Sequence, residues 1–228
     1  MRIRDSVASL PIAAVLLCTA VSGCGSASAN GVQSKSPEAI VSAATQALKG
    51  VRSVHVYGST TSSGMPVKLD LLLVSGKGGR GEITQNGLSF QIITTPGHVY
   101  INGSDSFWRH FGGNAAVQLF HGKWLKAPAS GELGSVAELT NLQQLFAKLL
   151  SSHGKLTKGA TTTVNAQKVI AVRDITHGGT IYIATTGKAY PIELSKTGSE
   201  GASLMFDHYN EPVSLSPPAN AVDITQLR

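Results

Sequence analysis

Residues 54–101, VHVYGSTTSSGMPVKLDLLLVSGKGGRGEITQNGLSFQIITTPGHVYI, decide the fold. Val54/Val56, Val67/Leu69/Leu71/Leu73, Phe90/Ile92 and Val99/Ile101 alternate with mostly more polar neighbours, the period of strands with one buried and one wet face. Turn signals break the pattern at short intervals: Gly58, Ser62-Ser63-Gly64, Gly76-Lys77-Gly78-Gly79, Asn86-Gly87 and, just beyond, Asn102-Gly103. Both Asn-Gly pairs read as tight hairpins, which need positive φ at their central residues. Strands sharing short hairpins make an antiparallel meander.

Upstream, Ser36-Pro37-Glu38 supplies a helix cap, a proline at the first helical position and an acid in the first turn. Ile40, Ala44, Ala47 and Leu48 follow at helical spacing, so a helix is predicted from Pro37 to Lys49, stopped by Gly50. Downstream, a short helix is expected from Asn114 to Phe120, then an extended Gly122-Lys123-Trp124-Leu125. Leu139, Leu142, Leu145, Phe146, Leu149 and Leu150 form the stripe of an amphipathic helix from about Ala137 to Ser152. Strands return at Lys155 to Thr163, Lys168 to Ile175, Thr180 to Ala184, Pro191 to Lys196, Ala202 to Tyr209 and Val213 to Leu215, with Val222-Asp223-Ile224 as an irregular exit. The fold class is α+β: a curled antiparallel sheet, a half-barrel, whose open face takes the helices.

The N-terminus is an address. Arg2 and Arg4 precede an apolar run from Leu10 to Val21, and Val21-Ser22-Gly23-Cys24 closes it with small residues before a thiol. A dozen apolar residues fall short of the roughly 20 a membrane-spanning helix needs, so 1–23 reads as a cleaved signal ending in a lipobox. Cys24 would become the acylated N-terminus, anchoring the protein to the extracytoplasmic face of the cell membrane. Residues 24–35, nearly devoid of apolar bulk, read as a flexible tether, and 36–228 as a single domain. Cys18 leaves with the signal, so the mature chain keeps no cysteine pair for a disulfide or thiolate metal site. The formal net charge of +6 is dispersed, without a basic stripe or interleaved aromatics, which disfavours nucleic-acid binding.

Chemical motifs are few. Gly76-Lys77-Gly78-Gly79-Arg80-Gly81 matches G-x-G-x-x-G, but Glu82-Ile83-Thr84-Gln85 reads as a strand where a dinucleotide site needs a helix N-terminus. The seven histidines, His55, His98, His110, His121, His153, His177 and His208, stand apart along the chain, with Asp174-x-x-His177 and Asp207-His208 the nearest approaches to a ligand pair. No metal site, cofactor or catalytic residue is expected. G-x-S-x-G is absent, and no paired carboxylates favour a hydrolase. What remains is the apolar inner face, with Val56, Leu69, Leu71, Leu73, Phe90 and Ile92 from the sheet and Leu142, Phe146 and Leu149 from the helix. Such a face is either a packed core or the wall of an acyl-chain cavity, and periodicity does not separate the two.

Residues 179–194, GTIYIATTGKAYPIEL, and 204–213, LMFDHYNEPV, resemble the end of LolA-like envelope lipoproteins of the actinobacterial LppX and LprG type. There a proline-led strand and a strand ending near Tyr-x-x-Pro-Val close the sheet. The helix at Pro37 followed by Val54-His55-Val56 is similar to their opening, and Gly122-Lys123-Trp124-Leu125 to their mid-chain tryptophan strand. The resemblance implies a half-barrel with a cavity for acyl chains of lipids or lipoglycans, carriage in the envelope, and no catalytic residues. A monomer is expected. The alternative is an envelope sensor or scaffold that uses the same fold to bind a protein partner.

Overall fold

A computed structural model describes residues 28–198 and 201–226; the signal and Cys24 lie outside them. Order begins earlier than expected. Ala29 forms a β-bridge with Thr186, the Asn30 N–H donates to the Thr185 carbonyl at 2.9 Å, and Val32 is buried. The stretch from Ser28 to Lys35 is therefore part of the fold, which corrects the tether assigned to 24–35. Its few apolar atoms gave no sign of this, because it is held chiefly by backbone pairing.

Helix α1 (Pro37–Leu48) starts as its cap dictates, with the Ala39 N–H donating to Ser36 Oγ at 3.3 Å, and buries Ile40, Val41, Ala44 and Leu48. Five strands follow: β1 (Ser53–Ser62), β2 (Met65–Val74), β3 (Gly78–Gln85), β4 (Leu88–Thr95) and β5 (His98–Gly103). Helix α2 (Asp105–Phe120) and β6 (Leu125–Pro128) come next, then α3 (Gly134–Leu139) and α4 (Leu142–Ser151). The last part holds β7 (Leu156–Val164), β8 (Gln167–Asp174), β9 (Thr180–Ala184), β10 (Pro191–Lys196), β11 (Ala202–Asp207) and the two-residue β12 (Val222–Asp223).

All belong to one 12-stranded sheet in the order β12-β6-β5-β4-β3-β2-β1-β11-β10-β9-β8-β7. Two antiparallel meanders, β1 to β6 and β7 to β11, are thus joined by the single pairing of β1 with β11. At that seam Gly58 has φ +131°, and a Cβ there would lie 2.0 Å from the Ser203 carbonyl oxygen. Only glycine lets the two backbones approach this closely. The open, curled sheet with its helices is the α+β half-barrel expected from the sequence.

Side chains of Val56, Leu71, Ile92, Ile101 and Leu125 stand in one row across neighbouring strands, and Val56 faces Phe206 across the seam. This face meets α1 and α4 in one cluster, where the Phe146 and Phe206 rings lie 5.3 Å apart. The single helix predicted over 137–152 is two helices. Thr140 accepts a hydrogen bond from Thr94 Oγ1 at 2.7 Å and donates to the Ala137 carbonyl, while Asn141 caps α4 by accepting from the Gln144 N–H. The break therefore leaves no orphaned buried hydroxyl.

Other expectations also shift. A helical stretch not expected from the sequence begins at Asp105, capped by Ser104, which accepts from the Phe107 N–H at 3.2 Å; Gly112 (φ −149°) and Gly113 (φ +67°) leave the helical conformation, and the helix expected from Asn114 to Phe120 follows them within α2. Asn102-Gly103 ends β5 rather than forming a hairpin, and 213–215 form no strand. The exit is not wholly irregular, since β12 pairs in parallel with β6. The glycine-rich run is a turn entering β3, as read from the sequence.

Asp174 fastens the loop after α4 to the turn after β8. Its carboxylate accepts from the backbone N–H groups of Gly154 (3.0 Å), Thr176 (2.9 Å) and His177 (3.0 Å), and pairs with His177 Nδ1 at 3.0 Å. These bonds, the one from Gly154 foremost, hold its pKa well below the ordinary carboxylate value. Because the native carboxyl is the stronger acid, its contribution to stability is complete above about pH 4 and is lost as pH falls further. Asp174→Ala is expected to lower the melting temperature at neutral pH and to flatten the acid-side fall in stability. Thermal melts from pH 7 to 2 check this, and parallel curves for variant and parent would contradict it.

Candidate apolar site

The inner-face residues named from the sequence do come together, but as a filled core. Val56, Leu71, Leu73, Ile92, Leu142 and Phe146 are buried, packed with Ile40 and Ala44 of α1 and with Phe206. Leu69, Phe90 and Leu149 are half-buried against the same cluster. Leu149 also borders a hollow of about 190 Å³ with Val41, Leu156, Ile181 and Leu194.

A larger apolar hollow, about 390 Å³, lies on the same concave face beyond the core, between α2 and the β5–β6 edge. Ile101 and Leu125, paired across the strands, form its floor with Ala127; Phe107, Trp108 and Phe111 form its roof; Leu133 and Ile224 close its sides. That volume falls within the roughly 300–1,000 Å³ typical of ligand pockets. Every lining side chain is apolar or aromatic, and Phe111, 68% exposed, stands at the mouth. Phe90 links core and hollow, its ring 5.1 Å from that of Phe107, which in turn lies 4.9 Å from Trp108 and 4.8 Å from Phe111.

The local sequence explains how α2 lies so flat. A Cβ at Gly103 would sit 2.4 Å from Phe107 Cδ1, so glycine at the end of β5 lets the aromatic face of the helix rest on the strand. Trp108 is buried, and its indole Nε1 has no hydrogen-bond partner. An unsatisfied buried donor is unusual and marks a place where an acceptor would be stabilising. The sequence carried one signal for this site, the Phe107/Phe111 pair at i, i+4.

The opposite face is polar. A broad groove of about 730 Å³ there is bordered by Tyr57, Lys68, Asp70, Arg80, Glu82 and Trp124, among others. At its edge the histidines no longer stand apart. Pairing of His55 with Asp207 in the β1–β11 register brings His55, Asp207 and His208 together, with His55 and His208 rings 5.6 Å apart. Strand pairing thus joins to the Asp207-His208 pair a histidine that stands far from it along the chain. His121 pairs instead with Asp105, and His177 with Asp174. At the strand end, Tyr209 donates its hydroxyl to the Pro191 carbonyl at 2.7 Å and stacks on Tyr190, 4.2 Å between centroids. Burial, then the neighbouring Tyr190 and Asp207, push this phenol upward, so it stays a neutral donor. That contact gives the Tyr-x-x-Pro-Val stretch its physical role.

Among the described residues, no helix is long and apolar enough to cross a membrane. No protein-family model matches the chain, and no curated protein matches it. Among solved structures it resembles LprF from Mycobacterium bovis, with a TM-score of 0.56 and 14% identity over 81% of this chain and 97% of that one. It also resembles the Mycobacterium tuberculosis lipoprotein LppX, with a TM-score of 0.50 and 18% identity over 79% of this chain and 98% of that one. These likenesses establish the fold, the same half-barrel that the sequence resemblance implied.

Proposed function

We propose that this protein is a non-enzymatic lipoprotein, held at the outer face of the cell membrane through acylated Cys24, that binds acyl chains of lipids or lipoglycans. The observation that carries the reading is the apolar hollow under α2, open at Phe111, on the concave face of a fold shared with LprF and LppX. Burial of methylenes drives binding, each contributing about 0.8 kcal/mol. The unpartnered Trp108 Nε1 suits a chain that carries an ester or amide carbonyl near the helix. The inner-face residues Val56, Leu69, Leu71, Leu73, Phe90, Ile92, Leu142, Phe146 and Leu149 back the hollow and, with a shift of α4, would extend it. No nucleic acid is involved, and the working unit is a monomer.

Purification from a host that processes lipoprotein signals, followed by native mass spectrometry and lipid extraction, tests this. A bound lipid in addition to the covalent anchor is expected. Unliganded protein that also fails to take up a fluorescent fatty acid overturns the reading. The sensor or scaffold alternative draws on the polar groove of about 730 Å³ on the opposite face, and capture of a specific envelope protein without lipid would favour it.

A further inference from the structure

His55 sits on β1, Asp207 ends β11, and His208 begins the turn that follows, so one backbone pairing assembles residues far apart in the chain. One ligand atom from each lies within 4.8 Å of the others. His55 Nδ1 is 2.8 Å from Asp207 Oδ1, and His208 Nδ1 is 3.2 Å from the same oxygen. On its far side, His55 Nε2 is 3.0 Å from Asp70 Oδ1.

These contacts constrain where protons can be. An ionised carboxylate only accepts, so Asp70 calls for a proton on His55 Nε2. In the neutral ring Nδ1 is then a bare lone pair, aimed at an Asp207 oxygen that is also an acceptor. The Nδ1 of His208 points to that oxygen as well. Two ring nitrogens and a carboxylate oxygen thus converge on one point, the donor set that a metal ion takes.

We infer that His55, Asp207 and His208 form a binding site for a divalent transition-metal ion of the zinc class, with Asp70 orienting His55 from behind. Two imidazoles and a carboxylate suit zinc, copper or nickel rather than magnesium or calcium. Tetrahedral bonds of about 2.0 Å place ligand atoms about 3.3 Å apart, so the two contacts to Asp207, at 2.8 and 3.2 Å, open by half an ångström or less, and the two imidazoles, within 4.8 Å of each other, settle around the ion. A carboxylate on the second ring nitrogen of a ligating histidine is the usual outer-shell partner.

The site is also braced. His208 has φ +48°, a costly conformation for a residue other than glycine, and the turn behind it is tied to β1. There the Asn210 N–H donates to the Ser53 carbonyl at 2.9 Å, and the Arg52 N–H donates to Asn210 Oδ1 at 2.8 Å. The His55 side chain is 19% exposed and that of His208 is 55% exposed. The ion would therefore enter from the solvent side of His208, and water would fill a fourth position there.

The test is titration of the full-length, metal-stripped protein in detergent with zinc chloride by calorimetry, with cobalt(II) as a spectroscopic probe. The expected result is one zinc ion per chain and a tetrahedral cobalt spectrum without a thiolate band, which separates this site from the N-terminal cysteines. His55→Gln and His208→Asn are each expected to weaken binding at least about 100-fold, and Asp70→Asn about 10- to 100-fold. Asparagine tolerates the left-handed backbone at 208, and Asp70 is an exposed side chain, so these variants keep the fold while testing the site. Zinc affinity no higher in the parent than in the His55→Gln/His208→Asn double variant overturns the inference.

Discussion

Ala127→Phe is expected to reduce acyl-chain uptake by roughly 50-fold while leaving the protein folded. Ala127 lies on β6, buried, with its methyl on the floor of the hollow beneath α2. A benzyl group there projects into open space of about 390 Å³ rather than into a close-packed wall, so the usual penalty for overpacking is avoided. The ring occupies space that would otherwise take about three methylenes, worth about 2.4 kcal/mol, which converts to that fold-change. Binding of a fluorescent fatty acid, with thermal melts as a control for folding, measures the effect. Undiminished uptake by a folded variant would move the ligand away from α2, toward the interface between α4 and the sheet.

Gly58→Ala is expected to cost about 4 kcal/mol and to unfasten the two meanders from each other. The new methyl carbon would fall 2.0 Å from the Ser203 carbonyl oxygen, at a φ of +131° that no L side chain adopts comfortably. Backbone strain of about 1–3 kcal/mol and steric displacement of similar size combine there. Because β1–β11 is the pairing that joins the two halves of the sheet, the damage falls where it splits the structure. Denaturant unfolding should show a lower midpoint and a loss of cooperativity, whereas Ser59→Ala, next along the same strand, should stay within about 0.5 kcal/mol. Equal stability of the two variants would show that the seam relaxes without cost.

The parts of the fold legible in the sequence are those specified by near neighbours. Ser36-Pro37-Glu38 announces α1 because cap, proline and acid act within one turn, and Asn86-Gly87 marks the β3–β4 hairpin because its backbone geometry is local. Alternation from Val67 to Leu73 likewise reports which face of β2 is buried. What escaped depends on distant partners. Gly103 imitates a hairpin glycine, yet it is there to admit the Phe107 ring. The hydrogen bonds among Thr94, Thr140 and Ala137 that divide α3 from α4 have no signature in a helical stripe. The candidate site divides in the same way. The apolar inner face was readable from its period, but the hollow beside it and the meeting of His55 with His208 are products of strand order.

The β1–β11 pairing also sets a clock. As the chain emerges from its N-terminus, β1 to β5 can zip together through local hairpins and β6 joins after α2, but the free edge of β1 waits until residues 202–207 arrive. Contacts so far apart in sequence close slowly, and an unpaired edge strand invites the wrong partner in the meantime. The interval between making the first strand and sealing it is therefore when this protein is most open to misassembly, and when a chaperone holding the edge of β1 would have the greatest effect on yield.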